Sequence, residues 1–210
     1  MRKFNSRENK GTMVPHLMLV LALLSLVFFV AAGDAQAQQS KPFGWSLALQ
    51  NMKSGDLVPF AAPIQSWTGD QFRLVISPES AVYCYVIVES PGDEVGVLYS
   101  GPLKNGEIWY SQVMELSIPS GEESLYIVTS QEEQKTLAQR ISAFNSNAGS
   151  TQRRALMTEV FRIRSDASKF KEAPEKPVLM GGASRGTPDK SQGVQYSGSD
   201  TYVKSISIQH

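Results

Sequence analysis

Imidazoles, thiols and clustered metal ligands carry much hydrolytic and redox chemistry, and this 210-residue chain has two histidines and one cysteine with which to build them. A Ser-His-Asp or Cys-His system needs an imidazole held in place by a third group. His16 stands at the edge of an N-terminal apolar segment, and His210 is the last residue of the sequence, expected on a mobile end. Cys84 lies among Val82, Val86 and Val88, whereas a reactive thiol needs an electropositive, partly exposed setting. It is expected to be a buried small hydrophobe, with no second cysteine to pair with. Zinc clusters of Cys and His are ruled out by count. The sequence lacks G-x-x-x-x-G-K-S/T, G-x-G-x-x-G and the D-x-D-x-D-G calcium pattern, and the glycine-rich GGASRG at Gly181 to Gly186 lies in a stretch read as a linker, with no strand expected before it. No catalytic residue, cofactor or metal is therefore expected, and the chain is not read as an enzyme. Carboxylates leave one opening, since a glycosidase needs only two of them across a cleft. Asp93-Glu94 and Glu122-Glu123 stand at turns, where acidic pairs usually form a solvated rim. A carboxylate-based hydrolase is the distant alternative.

Residues suited to binding are more numerous. From Asp56 to Glu133 there are 12 acidic and 2 basic residues, and from Lys135 to Lys171 there are 8 basic and 2 acidic. Such polarity serves an anionic partner or closes the chain on itself. Within the basic stretch, Arg153, Arg154, Arg162 and Arg164 are candidate partner-binding residues. Nucleic acid is not an expected partner, because stacking platforms call for interleaved aromatics and only Phe144, Phe161 and Phe170 are near. Trp67, Trp109 and Tyr110 flank turns and form a second candidate set, since Trp and Tyr dominate interface hot spots. Core packing is the competing reading for these aromatics.

The elements that must position these residues are mostly strands. Phe72, Leu74 and Ile76 alternate with polar residues, the period of a strand with one buried face. Ala81 to Val88 is apolar on both faces, which suits a central strand covered on two sides. Val95, Val97 and Tyr99 alternate again, with Leu98 opposite. Turn signals fall at Pro78–Ser80, Pro91–Asp93, Gly101-Pro102, Asn105-Gly106 and Pro119–Gly121. Further strands are expected at Trp45 to Leu49, around Ile108 to Tyr110, at Val113 to Ile118 and at Leu125 to Thr129, with Leu57 to Ala62 an irregular or edge segment. At Ser130 the period changes. Ser130 to Glu133 fits a capping box, and Leu137, Ile141 and Phe144 form one helical stripe. Thr151 to about Arg164 repeats the spacing through Leu156, Val160 and Ile163, although Phe161 to Arg164 also reads as a strand. This succession predicts a mainly β, antiparallel, sandwich-like fold with one or two C-terminal helices packed on the sheet.

The flanks carry different signals. Arg2, Lys3, Arg7 and Lys10 precede an apolar run from Leu17 to Ala32 and the triplet Ala35-Gln36-Ala37, the layout of a secretory signal peptide cleaved after Ala37. An uncleaved anchor is the rival, though the run falls short of the roughly 17 to 25 residues a spanning helix needs. Residues 38–171 form the expected domain. Residues 172–199, rich in Pro, Gly, Ser and Lys, read as a flexible linker. In 200–210, Tyr202, Ile206 and Ile208 predict a strand that pairs with the main sheet or is donated to a partner.

With these residues assembled, Gly69-Asp70-x-Phe72-Arg73-Leu74, AVYCYVIVES, VGVLYS and VMELSIPSGEESLYIVTS together resemble the bacterial family catalogued as domain of unknown function 4384. The resemblance covers roughly Trp45 to Phe144 and rests on β patterning. It implies a small β-rich extracytoplasmic module, in relatives often joined to enzymatic, repeat or cell-wall-associated domains, and carries no site residue. The expected function is a non-catalytic, periplasmic or secreted binding or scaffolding module of the cell envelope, with another envelope protein as partner. The alternative is a binder of anionic envelope polymer through residues 135–171. Membrane contact is expected only through the signal segment before cleavage.

Overall fold

The computed structural model describes residues 43–59, 63–167, 176–179, 192–198 and 200–210. The stretch expected to be a signal peptide, its expected cleavage site, Gly181 to Gly186, and Lys169 and Lys171 lie outside the described residues. The protein is mainly β, with two sheets and two helices. In chain order the elements are β1 (Phe43–Asn51), β2 (Leu57–Val58), β3 (Ile64–Gln65), β4 (Gln71–Pro78), β5 (Val82–Ser90), β6 (Glu94–Leu103), β7 (Trp109–Tyr110), β8 (Met114–Glu115) and β9 (Glu122–Ser130). They are followed by α1 (Lys135–Ser146), α2 (Ser150–Ala167), β10 (Lys176–Leu179), β11 (Gln192–Gly198) and β12 (Thr201–Gln209). One sheet runs β10-β11-β1-β4-β7, with β2 on β1 and β8 on β4; the other runs β3-β12-β9-β5-β6. All pairings are antiparallel except β3 with β12.

Strand period explains the layers. Alternate residues of β1 and β4, among them Trp45, Leu47, Leu49, Leu74 and Ile76, meet Cys84, Val86, Leu125, Ile127, Ile206 and Ile208 of the facing sheet in one buried core. The other face of β5 and β9 supplies Tyr85, Ile87, Tyr126 and Val128 to a second core. Leu137, Ile141 and Phe144 of α1 and Leu156, Val160 and Ile163 of α2 cover it. β5 is therefore apolar on both sides because a sheet lies over one face and helices over the other. The segment Phe161–Arg164 is helical, part of α2. No helix among the described residues is long and apolar enough to cross a membrane.

Several sequence expectations need correction. The region read as a linker contains β10, which precedes Gly181 to Gly186 against the expectation of no strand there, and β11, which pairs with β1 from Phe43–Gly198 to Leu47–Val194. Glycine, serine and glutamine hide its period, but Tyr196 is buried and stacks on Trp45 at 4.9 Å between ring centroids, with Tyr202 beside both. Gly101-Pro102 is no turn: β6 runs through it, with Pro102 opposite Tyr83 on an edge strand, where a missing N–H costs little. The register between β5 and β6 slips at Val86/Ile87, leaving Leu98 as an extra residue. That bulge turns both Leu98 and Tyr99 toward the inter-sheet core, whereas Val95 and Val97 stay on the helix side. Ser130 does not cap a helix. It is the last residue of β9, paired with both Tyr83 and Thr201, and its hydroxyl donates to the Glu132 carbonyl at 2.6 Å. α1 starts later, and its start is tied to the second sheet: the Gln134 N–H donates to the Tyr85 hydroxyl at 3.0 Å and the Gln134 side-chain amide to Thr201 Oγ1 at 3.0 Å.

Candidate functional site

Two large apolar side chains stand out of one end of the sandwich. Trp67 and Ile118 are each 80% exposed, on the loop before β4 and the loop after β8. These loops are joined by the Gly69 N–H, which donates to the Leu116 carbonyl at 2.7 Å, and by a 3.4 Å contact between the Thr68 and Ser120 hydroxyls. Asp70 fixes the Trp67 loop. Its Oδ2 accepts from the Ser66 hydroxyl at 2.6 Å and from the Trp67 N–H at 3.0 Å. The Ser66 hydrogen bond first, then that of Trp67, holds the carboxyl below its ordinary range. A tryptophan on a loop with this many internal ties is presented to solvent at a small further entropic cost on binding.

Of the three aromatics predicted to act in binding, Trp67 alone stands fully outward. Trp109 packs on the inter-sheet core and on Tyr99, at 5.0 Å between centroids. Tyr110 is exposed next to it. Their strand, β7, pairs with Val75 and Ile76, whereas β8, next to the Trp67 loop, pairs with Gln71 and Phe72. The register thus sets Trp67 with Ile118 rather than with Trp109 and Tyr110.

Behind this end a cavity of about 270 Å³ opens between the sheets. Its apolar wall includes Phe72, Val88, Leu98, Met114, Leu125 and Ile208, and its polar lining includes Ser90, Glu115 and Glu123. The bulge in β6 is what brings Leu98 to this wall. Glu123 corrects the expectation that the Glu122-Glu123 pair is a solvated rim. Glu122 is exposed, but Glu123 is 8% exposed, because strand period puts it on the inward face with Leu125 and Ile127. Its Oε2 accepts from the Ser90 hydroxyl at 2.6 Å. Its Oε1 lies 3.8 Å from Nε2 of His210, whose side chain is 0% exposed. Glu115 is exposed, and its Oε2 accepts from the Gln71 amide at 2.9 Å. A hydrolase of the two-carboxylate kind needs a facing, partly buried pair; here one member is buried and the other is not.

His210 is the residue that sequence reasoning misplaced. It is not on a mobile end: its backbone exchanges two 3.0 Å hydrogen bonds with Gly121, and Nδ1 lies 3.3 Å from the Thr68 hydroxyl. Nε2 is buried without a hydrogen-bond partner. The apolar alternation of β12, which carries the chain into the second sheet beside β9, was the available signal that this end is held.

The four arginines do not form one patch. At roughly 100° per residue, Arg162 projects about opposite Arg153 on α2, with Arg154 between and Arg164 close to Arg153. Arg162 is engaged on its own helix, to Glu159 at 2.7 Å and Asp166 at 2.8 Å, and the Glu159 hydrogen bond raises its guanidinium further. Arg153 donates to the Asp93 carbonyl. Arg154 and Arg164 are exposed.

Cys84 is fully buried, and desolvation pushes its thiol far above the ordinary range. No group of three or more His, Cys, Asp or Glu among the described residues is arranged to hold a metal ion. Searches with this sequence match no family model, no curated protein and no solved structure.

Proposed function

We propose that this chain is a non-catalytic, exported binding or scaffolding module of the bacterial cell envelope that works through protein contact at the Trp67–Ile118 end. The observation that carries the reading is the pair of 80% exposed apolar side chains on two loops fastened to each other by backbone hydrogen bonds. Exposed aromatic anchors on preorganised loops are the usual core of a protein-binding hot spot. The signal-peptide layout of residues 1–37 and the resemblance to the domain of unknown function 4384 family support an envelope location. The anionic-polymer alternative draws less support, because Arg153 and Arg162 are already engaged and project to different sides of α2.

The test is in-cell photo-crosslinking from position 68, with the wild-type chain and with Trp67→Ala and Ile118→Ser. A discrete envelope-protein adduct should form with wild type and fall about thirtyfold in the variants, since a central hot-spot residue is worth roughly 2 kcal/mol. An adduct made only of this protein would replace the reading with self-assembly. An adduct unchanged by both substitutions would remove this end from recognition altogether. Mass spectrometry of the envelope form should find Gln38 at its N-terminus.

A further inference from the structure

We infer that the inter-sheet cavity is a binding site for a small amphiphilic ammonium, a primary amine carrying a short aromatic or branched-alkyl body. Neither the protein contact at Trp67 and Ile118 nor the sequence resemblance requires such a site.

Size comes first. About 270 Å³ lies at or below the lower end of small-molecule pockets, roughly 300 Å³, so the occupant is a compact molecule rather than a peptide or a sugar chain. Wall chemistry comes next. Phe72, Val88, Leu98, Met114, Leu125 and Ile208 offer aliphatic and aromatic surface from both sheets, which favours an apolar body. Charge then sets the head group. Glu115 and Glu123 both line the cavity, and no lysine or arginine does among the described residues.

Glu123 is the anchor. An ionised carboxylate offers about four acceptor positions. In this structure the Ser90 hydroxyl fills one of them, on Oε2. The nearest cationic candidate, His210 Nε2, stands 3.8 Å from Oε1, beyond hydrogen-bond reach, and is itself buried without a partner. Glu123 is mostly buried at the cavity lining, and its Oε1 has no hydrogen-bond donor from the described residues, so it is the acceptor a cation entering the cavity can meet. An ammonium supplies three donors and a compensating charge. The Ser90 hydrogen bond holds Oε2, which leaves Oε1 as the oxygen for the ammonium.

The experiment uses the protein isolated from cells, titrated with phenethylammonium chloride, with phenethyl alcohol and 3-phenylpropionate as matched controls. Binding is followed by amide chemical shifts and by calorimetry. The amine should bind saturably at one site, with shifts concentrated at Val88, Leu98, Leu125 and Ile208. The alcohol and the acid should bind at least about tenfold more weakly, the loss expected on removing a charge-assisted hydrogen bond. Glu123→Gln should weaken the amine by a similar factor, Leu98→Trp should fill the cavity and abolish binding, and Trp67→Ala should leave it intact. Equal binding of amine and alcohol would overturn the assignment of the head group. No saturable shift with the amine, or undiminished binding to Leu98→Trp, would overturn the site. If Glu123→Gln does not fold, the comparison of amine, alcohol and acid on the wild-type protein decides the matter alone.

Discussion

At the scale of single residues, environment decides which groups are available for chemistry. Cys84 sits between two sheets with its thiol pushed up by burial, so it should resist a disulfide reagent such as DTNB in native buffer and react fully in guanidinium; prompt native reaction would contradict its placement. Asp70 behaves in the opposite direction. Its folded value is depressed below the ordinary 3.8 by the Ser66 hydroxyl and the Trp67 amide. The stabilisation of the Trp67 loop is therefore complete above that ordinary value and is lost as pH falls through the lower, folded one. Trp67 fluorescence anisotropy should be flat at neutral pH and drop in acid below 3.8, and Asp70→Asn should remove that dependence. Part of the candidate sites was readable from residues alone. The inward direction of Glu123 follows from its spacing to Leu125 and Ile127. Its meeting with Ser90 and His210 does not, because three distant segments converge there without a shared pattern.

At the scale of elements, periodicity was a good guide wherever one face met one partner. The two helical stripes and the doubly apolar β5 follow from spacing, and each has its covering layer in the structure. Spacing failed where backbone pairing did the positioning. β11 carries one large apolar anchor, Tyr196, among glycines, serines and glutamines, so composition suggested a linker. The start of α1 failed for a related reason, since Ser130 was already committed to two strand partners and the Gln134 N–H found its acceptor in Tyr85, far back in the sequence on β5. Tyr85→Phe should therefore leave the Gln134 backbone N–H without its acceptor and destabilise the protein by about 1 kcal/mol. Faster hydrogen exchange at the start of α1, with urea unfolding for the energy, would check it; an unchanged urea midpoint would show that water replaces the hydroxyl.

For the whole molecule, the two sheets are closed by the segments read last. Tyr196→Ala, which opens a void against Trp45 and Tyr202, should cost about 3 to 5 kcal/mol, a large part of the roughly 5 to 15 kcal/mol that holds a domain together. A linker residue would cost within about 0.5 kcal/mol, so urea denaturation distinguishes the two descriptions of residues 192–198. β12 raises the same issue on a larger scale. It occupies an inner position, between β3 and β9, and bridges residues some 140 positions apart in the chain. While the polypeptide is being synthesised, the second sheet cannot be completed until residue 209 has left the ribosome. Until then the edge of β9 that β12 covers lies open, and a strand from another chain can pair there in its place.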